Sequence, residues 1–511
     1  MTTSLHQQLY NRKRRINRRL APRNFFDQGT PVFTAGNIHY DMSDRILAVA
    51  CGGIGAIHLL ARHSGLIEAI NADLKLLKVH LPYHESDHVL NIAYNLLAGG
   101  TCIEDLELLR NNEVYLNALG ATRIPDPTTA GDFCRRFTEA DVQTLMDVIN
   151  RVRVKLWKQQ SAGFFELAIV DADGAIAPTQ GECKQGMGLS YDGQWSYHAL
   201  VMSLANTGEP LFLVNRSGNR PSHEGAGEYF DRSIILLRLA GFLRILLRGD
   251  TDFSQTKRLD GWDNDHVDFL FGFDATPNLK AIANGLPPDI WRPLNRPARY
   301  EVKTDPRQRP ENVKERLVVE HEYKNIRLKS EDVAEFDYTP TACKKSYRMV
   351  VVRKNLSIEK GEKLLFDDVR YFFYITNVRD KSAEEIVLLA TDRCNQENLN
   401  AQLKGGVKAM KMPAGDLTSN WAYMVMASLA WTLKAWMGLS VPVVPGPHRE
   451  RHEEQKRSIL RMEFRQFVNA LVNVPCQIVR QAGKIIYRLL SWNPWQQVLV
   501  RVAVSLRPLR C

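Results

Sequence analysis

Apolar and polar positions follow a helical period through the first third of the chain. From Ile46 to about Gln160 apolar residues recur at spacings of three and four, most regularly over Asp73–Leu81 and Ala140–Trp157. This predicts a helical domain over residues 46–160, suited equally to docking on DNA and to dimerisation. Ile124-Pro-Asp-Pro-Thr-Thr breaks the pattern, and its Asp or Thr can cap the next helix. At Phe164 the period changes. Phe164–Val170 is apolar except for Glu166 and reads as a buried strand, running into Asp171-Ala-Asp173-Gly174. Tyr197–Leu204 and Leu211–Val214 read as two further strands, joined as a hairpin through Asn206-Thr207-Gly208. Glu224–Ala240 has helical spacing, with Gly241 to end it. Leu243–Leu247 is a fourth strand, followed by Arg248-Gly-Asp250-Thr-Asp252.

Leu317–Tyr323, Ser346–Arg353 and Val369–Thr376 are rich in Val, Tyr and Phe. They predict an inserted, mostly antiparallel β region at about residues 275–380. Ile386–Ala390 reads as a short strand, and Asp392–Lys404 as a helix stopped by Gly405-Gly406. Trp421–Val444 is the most apolar window, but Lys434 interrupts it. Its uninterrupted part is shorter than the roughly 20 residues of a membrane span, so it reads as a buried helix. Residues 441–511 read as a basic helical region.

Composition narrows the class. The 511 residues are 44% hydrophobic and 24% charged, which excludes disordered and fibrous chains. The eight cysteines form no C-x-x-C pair, against a zinc ribbon or disulfide framework and in keeping with a reducing cytoplasm. The basic N-terminus is followed by no apolar segment of the signal-peptide kind. The net charge of +10 sits at the two ends. Residues 1–26 carry seven cations and no acid; residues 449–511 carry twelve cations and four acids. A mildly acidic body between basic ends suits a polyanionic partner. Residues 1–45 form a basic arm, whose Arg12, Arg14 and Arg15 can lie in a DNA groove. Arg480, Lys484 and Arg488 recur every four residues and predict a cationic helix face for backbone phosphates, or a plain solvated face.

The candidate chemistry lies in the carboxylates. Asp171 and Asp173 are two apart, so in a strand they share a face. Asp250 follows a strand that, in this order, pairs beside the first. Bare carboxylates that close repel unless a cation lies between them. Hard oxygen ligands favour Mg²⁺ or Mn²⁺ over Zn²⁺. Glu397 supplies a third acid, with Arg393 four residues before it and Lys404 seven after, on one helical stripe. Cation, carboxylate, cation suits a phosphodiester held across two metal ions. The α/β order, three strands, a helix, a strand and a later helix, is the layout of a ribonuclease-H-like catalytic domain over residues 161–440.

These residues carry a family resemblance. Val170-Asp-Ala-Asp-Gly174, Gly181-Glu-Cys-Lys184, Trp195-Ser-Tyr-His198, Leu213-Val-Asn-Arg216, Arg248 to Thr256 and Phe271-Gly-Phe-Asp274 resemble DDE transposases of bacterial insertion sequences, the IS1380 group within the IS4-like set. Arg393, Glu397 and Lys404 fit the Tyr-x2-Arg-x3-Glu-x6-Lys signature of that set, with Ala390 at the tyrosine position. The resemblance implies a catalytic triad of Asp173, Asp250 and Glu397, with Asp171 the alternative first acid and Asp252 the runner-up to Asp250. It implies two Mg²⁺ ions, replaceable by Mn²⁺. It also implies double-stranded DNA partners (the terminal inverted repeats and a target), a homodimer in the synaptic complex, and cleavage followed by strand transfer. In relatives the β insertion helps hold a flipped base. Trp262 and Trp291 are the tryptophans between the last two acids, and could stack on a base or belong to the core. A nuclease of the same fold without strand transfer, and an idle repeat-binding protein, are the rival readings.

Overall fold

The computed structural model describes residues 4–20, 39, 47–80, 82–179, 181, 183–296, 324–360 and 363–507. It opens with α1 (Leu5–Leu20) and a short β1 (Ala48–Val49). A helical block follows: α2 (Ile54–His63), α3 (Leu66–Asp73), α4 (Glu85–Leu97), α5 (Leu106–Arg110), α6 (Glu113–Leu119), α7 (Pro127–Cys134) and α8 (Glu139–Trp157). Its boundaries are written locally. Asp126 accepts the Thr129 N–H at 2.8 Å ahead of Pro127, and Thr138 with Asp141 forms a capping box for α8.

The sheet begins with β2 (Leu167–Pro178), β3 (Gly188–Leu189), β4 (Trp195–Leu204) and β5 (Glu209–Val214). α9 (Ala226–Ala240) ends at Gly241, whose φ of 105° is left-handed. Next come β6 (Arg244–Gly249), α10 (Thr256–Asn264), β7 (Asp268–Phe273), α11 (Pro277–Gly285) and β8 (Arg292–Pro293). Long strands β9 (Lys324–Tyr338), β10 (Tyr347–Lys360) and β11 (Lys363–Thr376) complete it. The order is β3-β4-β2-β6-β7-β11-β10-β9-β8, with β5 paired to β4. β2, β6 and β7 are parallel, and the rest pair antiparallel. The inserted β region is thus no separate layer. Phe373 of β11 pairs with Phe273 of β7 and continues the same sheet outward. The strand expected at Leu317–Tyr323 lies outside the described residues.

Three expectations need correction here. The helical spacing of Asp73–Leu81 does not make a helix: α3 ends at Asp73, and residues 74–80 are irregular, with Glu85 accepting the Leu76 and Leu77 N–H groups at 3.1 and 3.0 Å. Ile386–Ala390 is helical, within α12 (Ala383–Thr391). Ser382 accepts the Glu385 N–H while Glu385 accepts the Ser382 N–H at 2.7 Å, and this capping box decides for helix over a short apolar strand. α13 (Cys394–Ala401) runs on into a π turn over Gln402–Gly406. α14 (Leu417–Leu439) is buried from Ser419 to Leu439, as its apolar window predicted, and packs against α4, α8, β5 and α15 (Arg449–Arg461). After α16 (Phe464–Phe467) the chain forms a hairpin of β12 (Cys476–Gln481) and β13 (Lys484–Leu489), then α17 (Gln496–Ser505). The hairpin replaces the expected basic helix. Ala482 and Gly483, at φ 49° and 69°, form a two-residue left-handed turn that sets the strands antiparallel.

One core runs from Ile54 through the sheet to Leu506. β1 adds to β12, pairing Val49 with Cys476, so the two ends of the described chain share a three-stranded sheet. At the centre of the main core Glu209 is fully buried. It accepts hydrogen bonds from Arg153 (2.9 Å), Trp436 (2.9 Å), Trp157 (3.0 Å) and Thr207 (2.6 Å). It thereby ties α8, β5 and α14 together. No helix among the described residues is long and apolar enough to cross a membrane.

Candidate active site

The parallel pair β2–β6 brings the acids together. Its register sets Asp171 opposite Arg248. Two residues further along the chain stand Asp173, within β2, and Asp250, the first residue past β6, just beyond the carboxyl end of the ladder. Asp171 is not free to act with them: both its oxygens are held by Arg248, at 2.7 and 2.8 Å, and both side chains are 1% exposed. Arg248 also donates to Leu389 O at 2.8 Å, anchoring α12 beneath the site.

Asp173 accepts the Gly174 N–H at 2.9 Å on one oxygen and Asn400 Nδ2 at 2.8 Å on the other. Burial pushes its pKa up to about 6; Arg393 opposes that shift, and Asp250 and Glu397 add to it. Asp250 caps the turn Thr251–Phe253 by accepting the Asp252 N–H at 3.0 Å. Its pKa is also raised, chiefly by burial, again against Arg393 and with Asp252 adding to it. Two glycines permit this crowding. A Cβ on Gly174 would meet His198 Nε2 at 2.5 Å, and one on Gly272 would meet the Thr251 backbone nitrogen at 2.8 Å.

The first residues of α13 close the site. Arg393 donates to Ala172 O at 3.1 Å, and its Nε is buried without a partner. Glu397 is exposed on the helix, and its charge reaches Asp173. Lys404, on the π turn, loses basicity through burial and regains part of it from Asp173. The sequence reading missed Asn400. It lies three residues after Glu397, the spacing that puts both on one helix face, and that was the available signal. Tyr374 of β11 is half-buried, and the Arg393 charge reaches its phenol; Ala390 packs in the same apolar cluster.

The other predicted residues do not gather here. Arg12 is drawn into the protein, donating to Leu489 O at 2.6 Å and Ser491 O at 3.1 Å, so it anchors α1 to the C-terminal hairpin. Arg14 and Arg15 are exposed on α1. Arg480, Lys484 and Arg488 are exposed but make no helical stripe. In the hairpin register Arg480 faces Ile485, whereas Lys484 and Arg488 pair with Gln481 and Gln477 on the opposite face. Trp262 is a core residue, 4% exposed, with its N–H on Asp231 at 2.8 Å. Trp291 is covered by Arg353, whose guanidinium carbon is 4.2 Å from the ring centroid. His198 is buried, with Nδ1 2.9 Å from Arg220 O.

The donor set fits a divalent cation. Asp173, within β2, and Asp250, just past β6, both resist ionisation, and Asn400 Oδ1 is buried without a partner among the described residues. A hard cation would relieve both conditions at once, and hard oxygens favour Mg²⁺ or Mn²⁺.

Residues 48–511 match the family described as transposase DDE domain, group 1. A solved piggyBac transposase synaptic complex with hairpin DNA aligns with 82% of this chain and 81% of that one, at 9% identity and a TM-score of 0.34. No curated protein matches this chain.

Proposed function

The chain belongs to the transposase DDE domain group 1 family, and on that premise we propose that it is a DNA transposase of a bacterial insertion sequence of the IS1380, IS4-like kind. It binds the terminal inverted repeats of its element as a homodimer, cuts the phosphodiester at each end and joins the freed 3′ end to target DNA. Its catalytic domain is of the ribonuclease-H-like type. The observation that supports the reading is the clustering of charge at the β2–β6 pair, where the Asp250, Glu397 and Arg393 charges all reach Asp173.

Asp173, Asp250 and Glu397 would hold the Mg²⁺ or Mn²⁺ ions. Bound there, the ions supply charge neutralisation and activation of the attacking and leaving oxygens. The chain's own residues do the rest. Asn400 fixes the Asp173 rotamer, and the Asp252 N–H fixes that of Asp250. Arg393, whose Nε has no partner among the described residues, and Lys404 hold phosphate oxygens on either side of Glu397. Asp171 keeps β2 and β6 in register through Arg248 and takes no part in ligation.

The test is cleavage of a labelled DNA end carrying the inverted repeat that flanks the gene, with Mg²⁺ or Mn²⁺. Wild type is run beside Asp250→Asn and Glu397→Gln. Metal-dependent nicking at the repeat boundary, lost in both variants while repeat binding persists, is the expected result. Cleavage that survives either variant would mean the acids are wrongly assigned. Cleavage without strand joining would favour a plain nuclease, and binding without cleavage an idle repeat-binding protein.

A further inference from the structure

A second cavity, remote in sequence from the acids, lies where the two ends of the chain meet. It has a volume of about 460 Å³ and is walled by α1, α15 and α17. Leu5, Leu9, Val500 and Val504 form its apolar side. The polar side brings together His6, His448, Arg451, His452 and Arg501, with Gln455 and Gln497. Among the described residues no carboxylate lines it. Two of the three acids on α15 have other partners: Glu453 accepts from Arg449 at 2.9 Å and Glu454 from Arg457 at 2.9 Å; the third, Glu450, is exposed and does not line the cavity.

Several of these groups lack a counter-charge. Arg501 donates to Gln455 Oε1 at 2.7 Å, but its Nε is buried without a partner. His452 Nδ1 accepts the Val444 N–H at 3.3 Å, which leaves the proton on Nε2 as a further donor. The His448 and His452 ring centroids are 6.4 Å apart. Arg501, His448 and Arg451 all depress the basicity of His452 beyond the larger effect of its burial, a sign of cations crowded together. Two arginines face this cavity with no carboxylate among the described lining residues, and an anion would supply the missing counter-charge.

We propose that this cavity is a binding site for a phosphate group. Arginine forks suit phosphate oxygens, histidine and glutamine add donors, and the leucine and valine wall suits the sugar of a phosphodiester. The ends of the chain carry most of the excess positive charge, so a phosphate held here would also tie α1 to α15 and α17. The phosphate can come from the backbone of bound DNA or from a free phosphate compound. The DNA source rests on the transposase reading; the free source does not.

Both sources are tested on the full chain with Arg451→Ser and His448→Ala, two positions at the cavity mouth outside the core. One arm follows the salt dependence of binding to a short labelled duplex. The other follows the melting temperature in inorganic pyrophosphate against chloride at equal ionic strength. Neither arm requires cleavage, so failure of the catalytic reading would leave both readable. For a DNA phosphate, Arg451→Ser lowers duplex affinity about three- to tenfold and reduces the salt slope by about one, the loss of one phosphate contact. Pyrophosphate stabilisation of wild type, lost in both variants with the duplex slope unchanged, assigns the site to a free phosphate compound. Unchanged duplex binding together with no pyrophosphate stabilisation of wild type would overturn the proposal. Arg501→Lys keeps the charge but removes the guanidinium fork and its Nε, so it is expected to weaken binding, with the fold checked separately by circular dichroism.

Discussion

Arg248 and Asp171 face each other across the β2–β6 pair with two hydrogen bonds, of 2.7 and 2.8 Å, in a place where neither meets solvent. Two residues further along the chain stand Asp173, still within β2, and Asp250, the first residue past β6. The buried pair therefore fixes the register that brings together the two acids proposed to hold the cation, and the two aspartates of Asp171-Ala-Asp173 have different surroundings.

The first prediction separates the two. Asp171→Asn leaves Arg248 buried without its counter-charge and is expected to cost about 3–5 kcal/mol of stability. Asp173→Asn removes a carboxylate that burial already disfavours, so its stability should match or exceed that of wild type near neutral pH while cleavage is lost. Chemical denaturation of both variants at pH 7.5 decides it. Equal destabilisation by the two substitutions would refute the division.

The second prediction concerns pH. The Asp173 pKa is raised to about 6 in the folded protein. The fold therefore binds this proton more tightly than the unfolded chain does. Its contribution is present below about pH 4 and is lost as pH rises through 6, at most about 3 kcal/mol. In the pH 4–7 window wild type should lose stability relative to Asp173→Asn. Added Mg²⁺ or Mn²⁺ should restore it above pH 6 and have little effect on the variant. Thermal melts across pH 4–8, with and without the cation, measure both effects.

Much of this was legible in the chain, and the misses have physical causes. The strands reveal themselves through apolar runs, and Asp250 through its place after one; β2 runs on to Pro178, so Asp171 and Asp173 lie inside a strand that was expected to end before them. The choice between Asp171 and Asp173 needed Arg248, a partner 77 residues away that only the sheet brings close. The offset from Asp173 to Asp250 is the same, so Asp-x-Asp and Arg-x-Asp do carry the pairing once the strands are known to be parallel. The C-terminal cations were misread because a four-residue recurrence was given more weight than Ala482-Gly483, a hairpin turn between runs rich in Ile and Val. Helix over strand at Ile386–Ala390 was decided by Ser382 and Glu385, outside the apolar run itself.

A third prediction tests the link between the helices and the sheet. Glu209, on β5, satisfies four donors, two from α8, one from α14 and one from the turn before it, and pairs with Arg153 in full burial. Glu209→Gln keeps the shape but removes the charge that balances Arg153. A loss of about 3–5 kcal/mol is expected, seen as a lower midpoint in urea with an unchanged slope. A change below about 1 kcal/mol would mean that the network tolerates the missing charge.

The last prediction concerns Asn400, which touches Asp173 from α13. Its Nδ2 holds one Asp173 oxygen at 2.8 Å, and its Oδ1 is buried with no partner. Asn400→Ala frees the Asp173 rotamer and removes that oxygen, leaving the three acids in place. A positioning role should show as a rise of several-fold in the Mg²⁺ concentration needed for half-maximal cleavage. At saturating cation most of the rate should return. Asn400→Asp restores an oxygen but adds a charge beside two carboxylates that burial already opposes, so it should raise the Asp173 pKa further and shift the pH–rate profile upward. A purely structural asparagine would lower the melting temperature in both variants and leave the cation requirement and the pH profile where they were.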